Sequence, residues 1–414
     1  MSTISEPVDS KGEGILHGIK VVDFGWAIVA PLTATYLGFL GATVVTIEST
    51  KAIDALRLAG PFKDNASDVD MNGFFANHNP GKYGITLNLK GAEGLDVTKR
   101  LIKWADVLVE NFAPGVMNRL GLNYKAVRAM NPSIIYTSSS QLGQNGPLAQ
   151  FKAMGVQGAA LAGLYAVAGW PDGDPTGPFG AYTDYVAPKY LLAAILAALL
   201  RRKRTGEGQF IEQSQVEAGL NFIAPALLDY SVNGRVLQCP GNHSPEAAPH
   251  SVFPCKGDDR WCVIAVFTDG EWKALCHVLG DPSWASDKKY STFLGRKRNE
   301  EALESLIGEW TKNRSAEEVM EILQGAGVPA GMVAKPGDLH KDAQLVHRKY
   351  YRVINHPKIG PQRYDSPAFR FSDSISGPTK PAPCVGQHTK HICIEFLGMT
   401  EEEFESCKVA GAFS

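Results

Sequence analysis

Ile19-Lys-Val-Val-Asp23, Trp26-Ala-Ile-Val-Ala-Pro31-Leu-Thr-Ala-Thr-Tyr-Leu-Gly38 and Gly41-Ala-Thr-Val-Val-Thr-Ile-Glu48 follow one another near the start of the chain, and their reading decides the fold. The outer runs are short and β-branched, which suits strands, and the middle run has helical spacing with a proline near its start, where a missing N–H costs nothing. Strand, helix and strand within about 30 residues make a β-α-β unit. The alternation recurs downstream as an amphipathic stretch from Glu93 to Trp104, a strand at Asp106 to Glu110, a helix around Tyr124 to Met130 and a strand at Ser133 to Ser138. Repeated units of this kind predict a parallel sheet covered by helices, with ligands at the carboxyl ends of the strands.

Further along, a helix is expected from Tyr185 to Arg204, ending in Arg201-Arg-Lys-Arg204 before Thr205-Gly206. Cations in a last turn oppose the negative helix end and glycine supplies the left-handed cap, so these basic residues need no nucleic acid to explain them. Another helix is expected from Gln213 to about Asp229. From Asn233 to Gly257 the chain turns rich in Pro, Gly, His and Cys; a strand (Trp261 to Phe267) and helices at Arg296–Trp310 and Ala316–Gln324 follow. The expected fold class is therefore α/β: a Rossmann-like parallel sheet in a large domain with an inserted smaller α+β domain. The boundaries read as 15–229 for the first part of the large domain, 230–335 for the small domain, and 336–414 for a linker and C-terminal return with a last helix at Thr389–Leu397.

Composition agrees. A length of 414 residues suits two domains at roughly 100 to 200 residues each. With 44% hydrophobic residues, and 41 Lys+Arg against 43 Asp+Glu, the chain is neither disordered nor a strongly basic nucleic-acid binder. Its seven cysteines include no C-x-x-C pair, which argues against a disulfide framework and for a reducing cytoplasm. The polar N-terminus reads as neither signal peptide nor anchor. The longest apolar run, Tyr190 to Leu200, is eleven residues, short of the roughly 20 that span a bilayer, so a buried helix and no membrane are expected.

Common chemistries are then weighed. No G-x-G-x-x-G follows the first strand, where Asp23-Phe-Gly25-Trp26 stands, and no Walker lysine motif occurs, so NAD and ATP are disfavoured. Cys239, His243, His250 and Cys255 form C-x3-H-x6-H-x4-C, a spacing that matches no standard zinc knuckle; a proline-stiffened lid is expected there, and no metal. Ser138-Ser-Ser140 lacks a nucleophile elbow and suits contacts to an anion or carbonyl. The most informative position is Asp184, within Gly180-Ala-Tyr182-Thr-Asp184-Tyr185-Val-Ala-Pro188, where the long helix begins. An N-cap role explains an aspartate there, and it is compatible with a second one: helix amides that keep the carboxylate ionised also prepare it as a nucleophile.

At this point the chain resembles the family III CoA-transferases, which include formyl-CoA:oxalate and carnitine CoA-transferases. The likeness runs from about Leu16 to Ala412. It rests on Gly18-Ile-Lys-Val-Val-Asp23, Leu40-Gly-Ala-Thr-Val-Val-Thr-Ile-Glu48, Ala105-Asp-Val-Leu-Val-Glu-Asn-Phe-Ala-Pro-Gly115, Arg119-Leu-Gly121, Ala198-Leu-Leu-Arg-Arg-Lys-Arg-Thr-Gly-Glu-Gly-Gln209 and Gly327-Val-Pro-Ala-Gly331. The resemblance implies that Asp184 is the nucleophile, attacking a donor thioester to form a mixed anhydride and then an aspartyl-CoA thioester. It implies CoA contacts at Asn111, Phe112, Pro114 and Arg119, with Ile28 and Val29 beside the thioester. The arginine usual after Glu48 is Ser49-Thr50 here, so Lys51 or Arg57 is expected to serve the nucleotide end instead. A lysine common in some members is Ser139 here, and the glycine-rich loop of formyl-CoA transferase is missing, which puts oxalate and formate in doubt as substrates. The implied substrates are CoA thioesters and a carboxylic acid, with no prosthetic group.

Val22–Pro31, Leu56–Lys63 and Ala181–Tyr185 are most similar to the benzylsuccinate branch of the family. That likeness implies succinyl-CoA as donor, (R)-2-benzylsuccinate as acceptor, and an acceptor pocket built from Trp26, Ser139, Tyr182, Tyr185, His243 and His250. It also implies an interlocked dimer, either a homodimer or a heteromer with a paralogous subunit. Two competing readings are an acyl-CoA isomerase or racemase of the same superfamily and a non-catalytic partner subunit. The first needs a His-Asp pair where Phe151-Lys152 stands, and the second is disfavoured by Asp184 itself.

Overall fold

The computed structural model describes residues 13–178 and 180–414; the polar N-terminal stretch up to residue 12, and residue 179, lie outside them. Six strands form one sheet: β1 (Lys20–Asp23), β2 (Thr43–Glu48), β3 (Tyr83–Thr86), β4 (Val107–Glu110), β5 (Ile135–Ser140) and β6 (Gln209–Ser214). Their order is β3-β2-β1-β4-β5-β6 and every pairing is parallel. The order reverses between β1 and β4, so the connections leaving their carboxyl ends run in opposite directions and flank a crevice, the usual ligand position in such sheets.

Continuous apolar strands follow from covering both faces. Val21, Val44, Val107, Val109 and Ile135 pack under the helices Val29–Phe39 and Tyr182–Thr205 through Leu37, Leu191 and Ile195. Alternate residues Val22, Val45, Leu108 and Tyr136 face the helix Ala92–Trp104 and the C-terminal segment through Val97, Leu101, Ile392 and Phe404. Each fully buried aliphatic side chain contributes about 1.5–3 kcal/mol, so these two layers fix the register of the sheet.

β3 and β6 were not expected from the sequence. β3 is only Tyr-Gly-Ile-Thr, and β6 is a polar edge strand with one face exposed, so neither shows an apolar run. Gln213 and Ser214 consequently belong to β6, and the helix expected from Gln213 starts at Gln215, where the Ser214 hydroxyl accepts from Glu217 N (3.2 Å). It breaks at Asn221–Ile223 and resumes as Ala224–Asn233. The last expected helix begins as one turn, Thr389–His391, and widens into a π-helical turn over Ile392–Phe396 that buries Ile392 and Cys393. The Tyr182–Thr205 helix, at 24 residues, is long and apolar enough by length and composition to cross a bilayer, more than the eleven-residue run alone indicated; half of its apolar window is buried within the protein.

The chain divides into two compact units. One runs to Leu164 and includes Gly177–Gly234 and Gln344–Ser414; the other comprises Tyr165–Thr176 and Arg235–Ala343. The second unit holds the antiparallel strands β7 (His250–Pro254), β8 (Trp261–Ala265) and β9 (Ala330–Met332), packed on helices through Phe253, Ile264, Trp272, Leu303, Ile307 and Leu323. The segment Tyr165–Thr176 joins it because Gly241 N donates to Gly169 O (3.1 Å) and the Cys239 thiol to Ala168 O (2.9 Å). The run Gly169-Trp-Pro-Asp-Gly-Asp-Pro-Thr176 reads in the sequence as a turn-rich loop, but nothing in it says which unit it joins.

Candidate active site

The loop leaving β1 is fixed from three sides. Asp23 and Lys82 form a fully buried ion pair (2.7 Å), and the ammonium also donates to Pro31 O (2.8 Å) and Asn79 Oδ1 (2.7 Å). Burial pushes the Lys82 amine down, while Asp23 opposes that shift. Complete hydrogen bonding is what makes such a pair tolerable in a dry interior. Asp23 Oδ1 accepts from Gly25 N (2.8 Å), which turns the chain. Asn111, just past β4, then exchanges two hydrogen bonds with Trp26, accepting from its N–H (2.9 Å) and donating to its carbonyl (2.8 Å). Ala27 sits at φ 60°, a left-handed conformation that costs a non-glycine residue about 1–2 kcal/mol, and Asp54 holds it by accepting from Ala27 N (2.9 Å). Burial raises the Asp54 carboxyl to about 6. The loop delivers Ile28 into a cluster with Leu56, Phe75 and Tyr185, and Val29 into one with Tyr182, Val186 and Ala187.

The other expected CoA contacts follow β4 and β2 in the chain. The Phe112 ring meets Trp26 edge-on at 6.3 Å, and its N–H donates to Glu110 Oε2 (2.7 Å), a carboxyl that burial raises to about 7. Pro114 is half-buried, and Arg119 lies exposed just beyond the left-handed Gly115 (φ 84°). Lys51 is exposed after β2. Arg57 requires a correction. Its guanidinium is 1% exposed, paired with both oxygens of Glu48 (2.8 Å each), with Asp70 (2.8 Å) and with Pro383 O (2.9 Å), and lies 3.5 Å over the Phe75 ring. Those partners engage it structurally and leave none of it for a nucleotide.

Asp184 stands three residues into the helix Tyr182–Thr205, and the N-cap is Ala181, so the capping role expected for Asp184 is not the one it plays. The carboxyl is 9% exposed and packs where two glycines of the helix Gly155–Leu161 leave room. A Cβ on Gly155 would stand 2.5 Å from Asp184 Oδ2, and one on Gly158 would stand 2.1 Å from Gln141 Oε1. Three buried polar atoms here have no hydrogen-bond partner: Asp184 Oδ1, Gln141 Oε1 and Ser140 Oγ. A buried unpaired acceptor costs about 1–3 kcal/mol, so a cluster of them marks a place built to meet something else. Burial raises the Asp184 carboxyl to about 6, and the neighbouring Gln141 side chain offsets part of that rise. This reverses the direction expected from the helix terminus alone: desolvation outweighs the dipole. A nucleophilic Asp184 must be ionised, so kcat/KM is expected to climb with pH through about 6 and level off above it, as a pH-rate profile would show.

The remaining expected substrate residues are spread apart. Tyr182 meets Phe222 edge-on at 5.1 Å. Tyr185 borders a cavity of about 320 Å³ with Tyr36, Phe74, His78, Tyr350 and Asp365. Ser139 is fully buried and donates to Gln213 Oε1 (3.0 Å), whose Nε2 donates to Ala187 O (2.9 Å); it ties the sheet to the long helix and is not offered to a ligand, a second correction. His243 and His250 belong to the second unit. His250 Nδ1 lies 2.6 Å from Asn242 O, and His243 Nε2 lies 3.4 Å from Glu304 Oε2. Among the described residues, His243, Glu300 and Glu304 bring ligand atoms within 4.8 Å of one another, while Lys297 Nζ already supplies a cation to Glu300 (2.7 Å to Oε1). Cys239 and Cys255 are bonded elsewhere, to Ala168 O and Phe253 O (3.8 Å), so the four-residue zinc spacing does not assemble. Sequence reasoning missed Gly155, Gly158, Gln141 and Gln215, whose types carry no signal until the fold brings them together.

The site is thus a doubly wound parallel sheet with, at the start of the long helix, a buried carboxyl that has one oxygen unpartnered. The sequence profile of CoA-transferase family III matches residues 16–389, and the chain belongs to that family. It is 30% identical over 400 residues to the succinyl-CoA:glutarate CoA-transferase of Mus musculus, covering 96% of this chain and 89% of that protein. It is 35% identical over 329 residues to the acetyl-CoA:oxalate CoA-transferase of Acetobacter aceti, covering 79% and 83%. Among solved structures, a CAIB/BAIF family protein from Brucella suis superposes with a TM-score of 0.86 at 29% identity, over 93% of this chain and all of that one. The chain is thus a CoA-transferase whose substrates are CoA thioesters and carboxylic acids.

Proposed function

We propose that this protein moves CoA from succinyl-CoA to an aryl-substituted dicarboxylic acid, with (R)-2-benzylsuccinate as acceptor, through Asp184. The observation that carries the reading is the Asp184 carboxyl: buried, with Oδ1 unpartnered, at the start of a helix beside the crevice loops. Its oxygen forms a bond to the thioester carbonyl carbon, the C–S bond breaks, and CoA leaves as thiolate. The thiolate attacks the aspartyl carbonyl and expels succinate, conserving the energy of the thioester. The acceptor carboxylate then displaces CoA from the aspartyl carbonyl, and CoA returns to the acceptor's acyl carbon, regenerating Asp184. Hydrolysis competes at every stage, so a dry carboxyl pocket serves the chemistry. Exposed Arg119 and Lys51 are suited to CoA's phosphates, Arg119 through its fork of donors. Trp26, Tyr182 and the aromatic cavity at Tyr185 favour an aryl group on the acceptor.

Assembly with a second copy or a paralogue is part of the proposal. The helix Ala224–Asn233 buries no residue and leaves Leu228, Tyr230 and Val232 exposed by 64%, 61% and 78%, a surface suited to self-association. Seven free cysteines suit the cytoplasm. A panel of acids with succinyl-CoA, run with and without any co-encoded paralogue, tests the acceptor. Benzylsuccinate is expected to exceed glutarate and oxalate in kcat/KM by about 100-fold or more, roughly the 2.7 kcal/mol that a filled apolar pocket supplies. Equal rates would instead assign a small aliphatic acceptor.

A further inference from the structure

We propose that Gln141, itself fixed by Gln215, is the positioning residue that orients the Asp184 carboxylate for attack; this rests on the transferase reading above. β5 and β6 end opposite each other at Ser140 and Ser214, so Gln141 and Gln215 leave the sheet side by side. The Gln141 backbone is pinned there, its carbonyl accepting from Val216 N (3.0 Å) and Ser214 Oγ (3.2 Å). Its side-chain Nε2 donates to Gln215 Oε1 (2.8 Å), and Gln215 is 4% exposed. A carboxamide nitrogen carries two protons; with one committed to Gln215, the other is available to Asp184. One helical face sets both side chains: Gly158 makes room for the Gln141 amide, and Gly155, one turn earlier, makes room for the carboxylate. Burial raises the Asp184 carboxyl and the Gln141 side chain lowers it, while the neighbouring Tyr185 phenol is pushed up by burial first and then by Asp184. Gln141 is therefore the polar group that favours the reactive anion.

The test is the pH profile of kcat/KM in Gln141→Glu, Gln141→Ala and Gln215→Ala, each with its Tm and its KM for succinyl-CoA. Gln141→Glu keeps the shape and replaces the donor with a like charge, so the acid limb is expected to move up by about one unit or more. Gln141→Ala and Gln215→Ala should move it the same way by less, with kcat falling about tenfold and donor KM within about twofold. An acid limb that coincides with wild type in folded Gln141→Glu overturns the proposal. If that variant does not fold, Gln215→Ala decides alone, since it adds no charge, and an unmoved limb there has the same meaning. Asp184→Asn separates the two layers: an active Asp184→Asn sinks the transferase mechanism, whereas an inactive one with unmoved Gln141 and Gln215 profiles sinks only this role.

Discussion

Asp184→Asn is expected to abolish CoA transfer, with a loss of about 10³-fold or more in kcat, while the affinity for a CoA thioester stays within about twofold. The substitution exchanges one oxygen for an amide nitrogen, so it keeps the volume of the side chain in a pocket that is already closed around it. It removes the nucleophile and no part of the loops that flank the crevice, which are held by Asp23, Asn111 and Asp54. The same variant carries a stability signature. A carboxyl raised above its unfolded value contributes stability that is present below about 3.8 and lost as pH rises through about 6. At pH 7.5 the wild type therefore bears the cost of a buried anion that the amide does not, and Asp184→Asn should melt higher at that pH and not at pH 4. Rapid-quench or chromatographic assay of CoA exchange, calorimetric binding of succinyl-CoA and thermal melts at the two pH values check these outcomes. Retained transfer would reject Asp184 as the nucleophile, and an aspartyl adduct trapped by hydroxylamine at another residue would say where the chemistry lies.

Gly155→Ala is expected to cost about 100-fold in kcat/KM, the scale of loss that follows from displacing a reacting group by about 1 Å. The added Cβ would lie 2.2 Å from Ala181 Cβ, 2.5 Å from Asp184 Oδ2 and 2.7 Å from its Cγ. No rotamer of the alanine relieves this, because the methyl is the Cβ itself. Either the start of the helix Tyr182–Thr205 or the carboxylate must move. Overpacking of this kind costs about 1–3 kcal/mol, partly offset by the roughly 1 kcal/mol gain in helix propensity on replacing glycine with alanine. Activity should thus fall far more than stability. Gly325→Ala, at a helical glycine with nothing near its absent side chain, is the control: it should leave activity unchanged and raise stability by up to about 1 kcal/mol. Full activity in folded Gly155→Ala would show that the carboxylate tolerates displacement, and the argument from the glycine face would fail with it.

Much of the sheet is legible in the sequence because buried parallel strands must be continuous apolar runs: Lys20–Asp23, Thr43–Glu48 and Val107–Glu110 announce themselves. β3 and β6 do not, since one is four residues long with an internal glycine and the other is an edge strand with glutamine, glutamate and serine. Asp184 is legible as a position and illegible as a state. Its place near a helix start follows from local pattern, but whether helix amides or desolvation dominates depends on Gly155, on Gln141 and on how deeply the helix start is buried, none of which spacing conveys. Arg57 illustrates the converse. A cation near the expected nucleotide end looks available until Glu48, Asp70 and Pro383 are found to surround it. Residue type predicts what a side chain could bind; only packing tells what it already binds.

The exchange between Asn111 and Trp26 bridges 85 positions of chain, and in it one side chain reads both the backbone donor and the backbone acceptor of a single residue, as one base reads another. Aspartate at 111 could accept but not donate, and leucine could do neither, so the position tests for an amide and nothing else. Two strand ends stapled in this way cannot part without breaking both bonds together. The staple ties the loop that follows β1 to the residue that follows β4, so a rearrangement of either one is transmitted to the other.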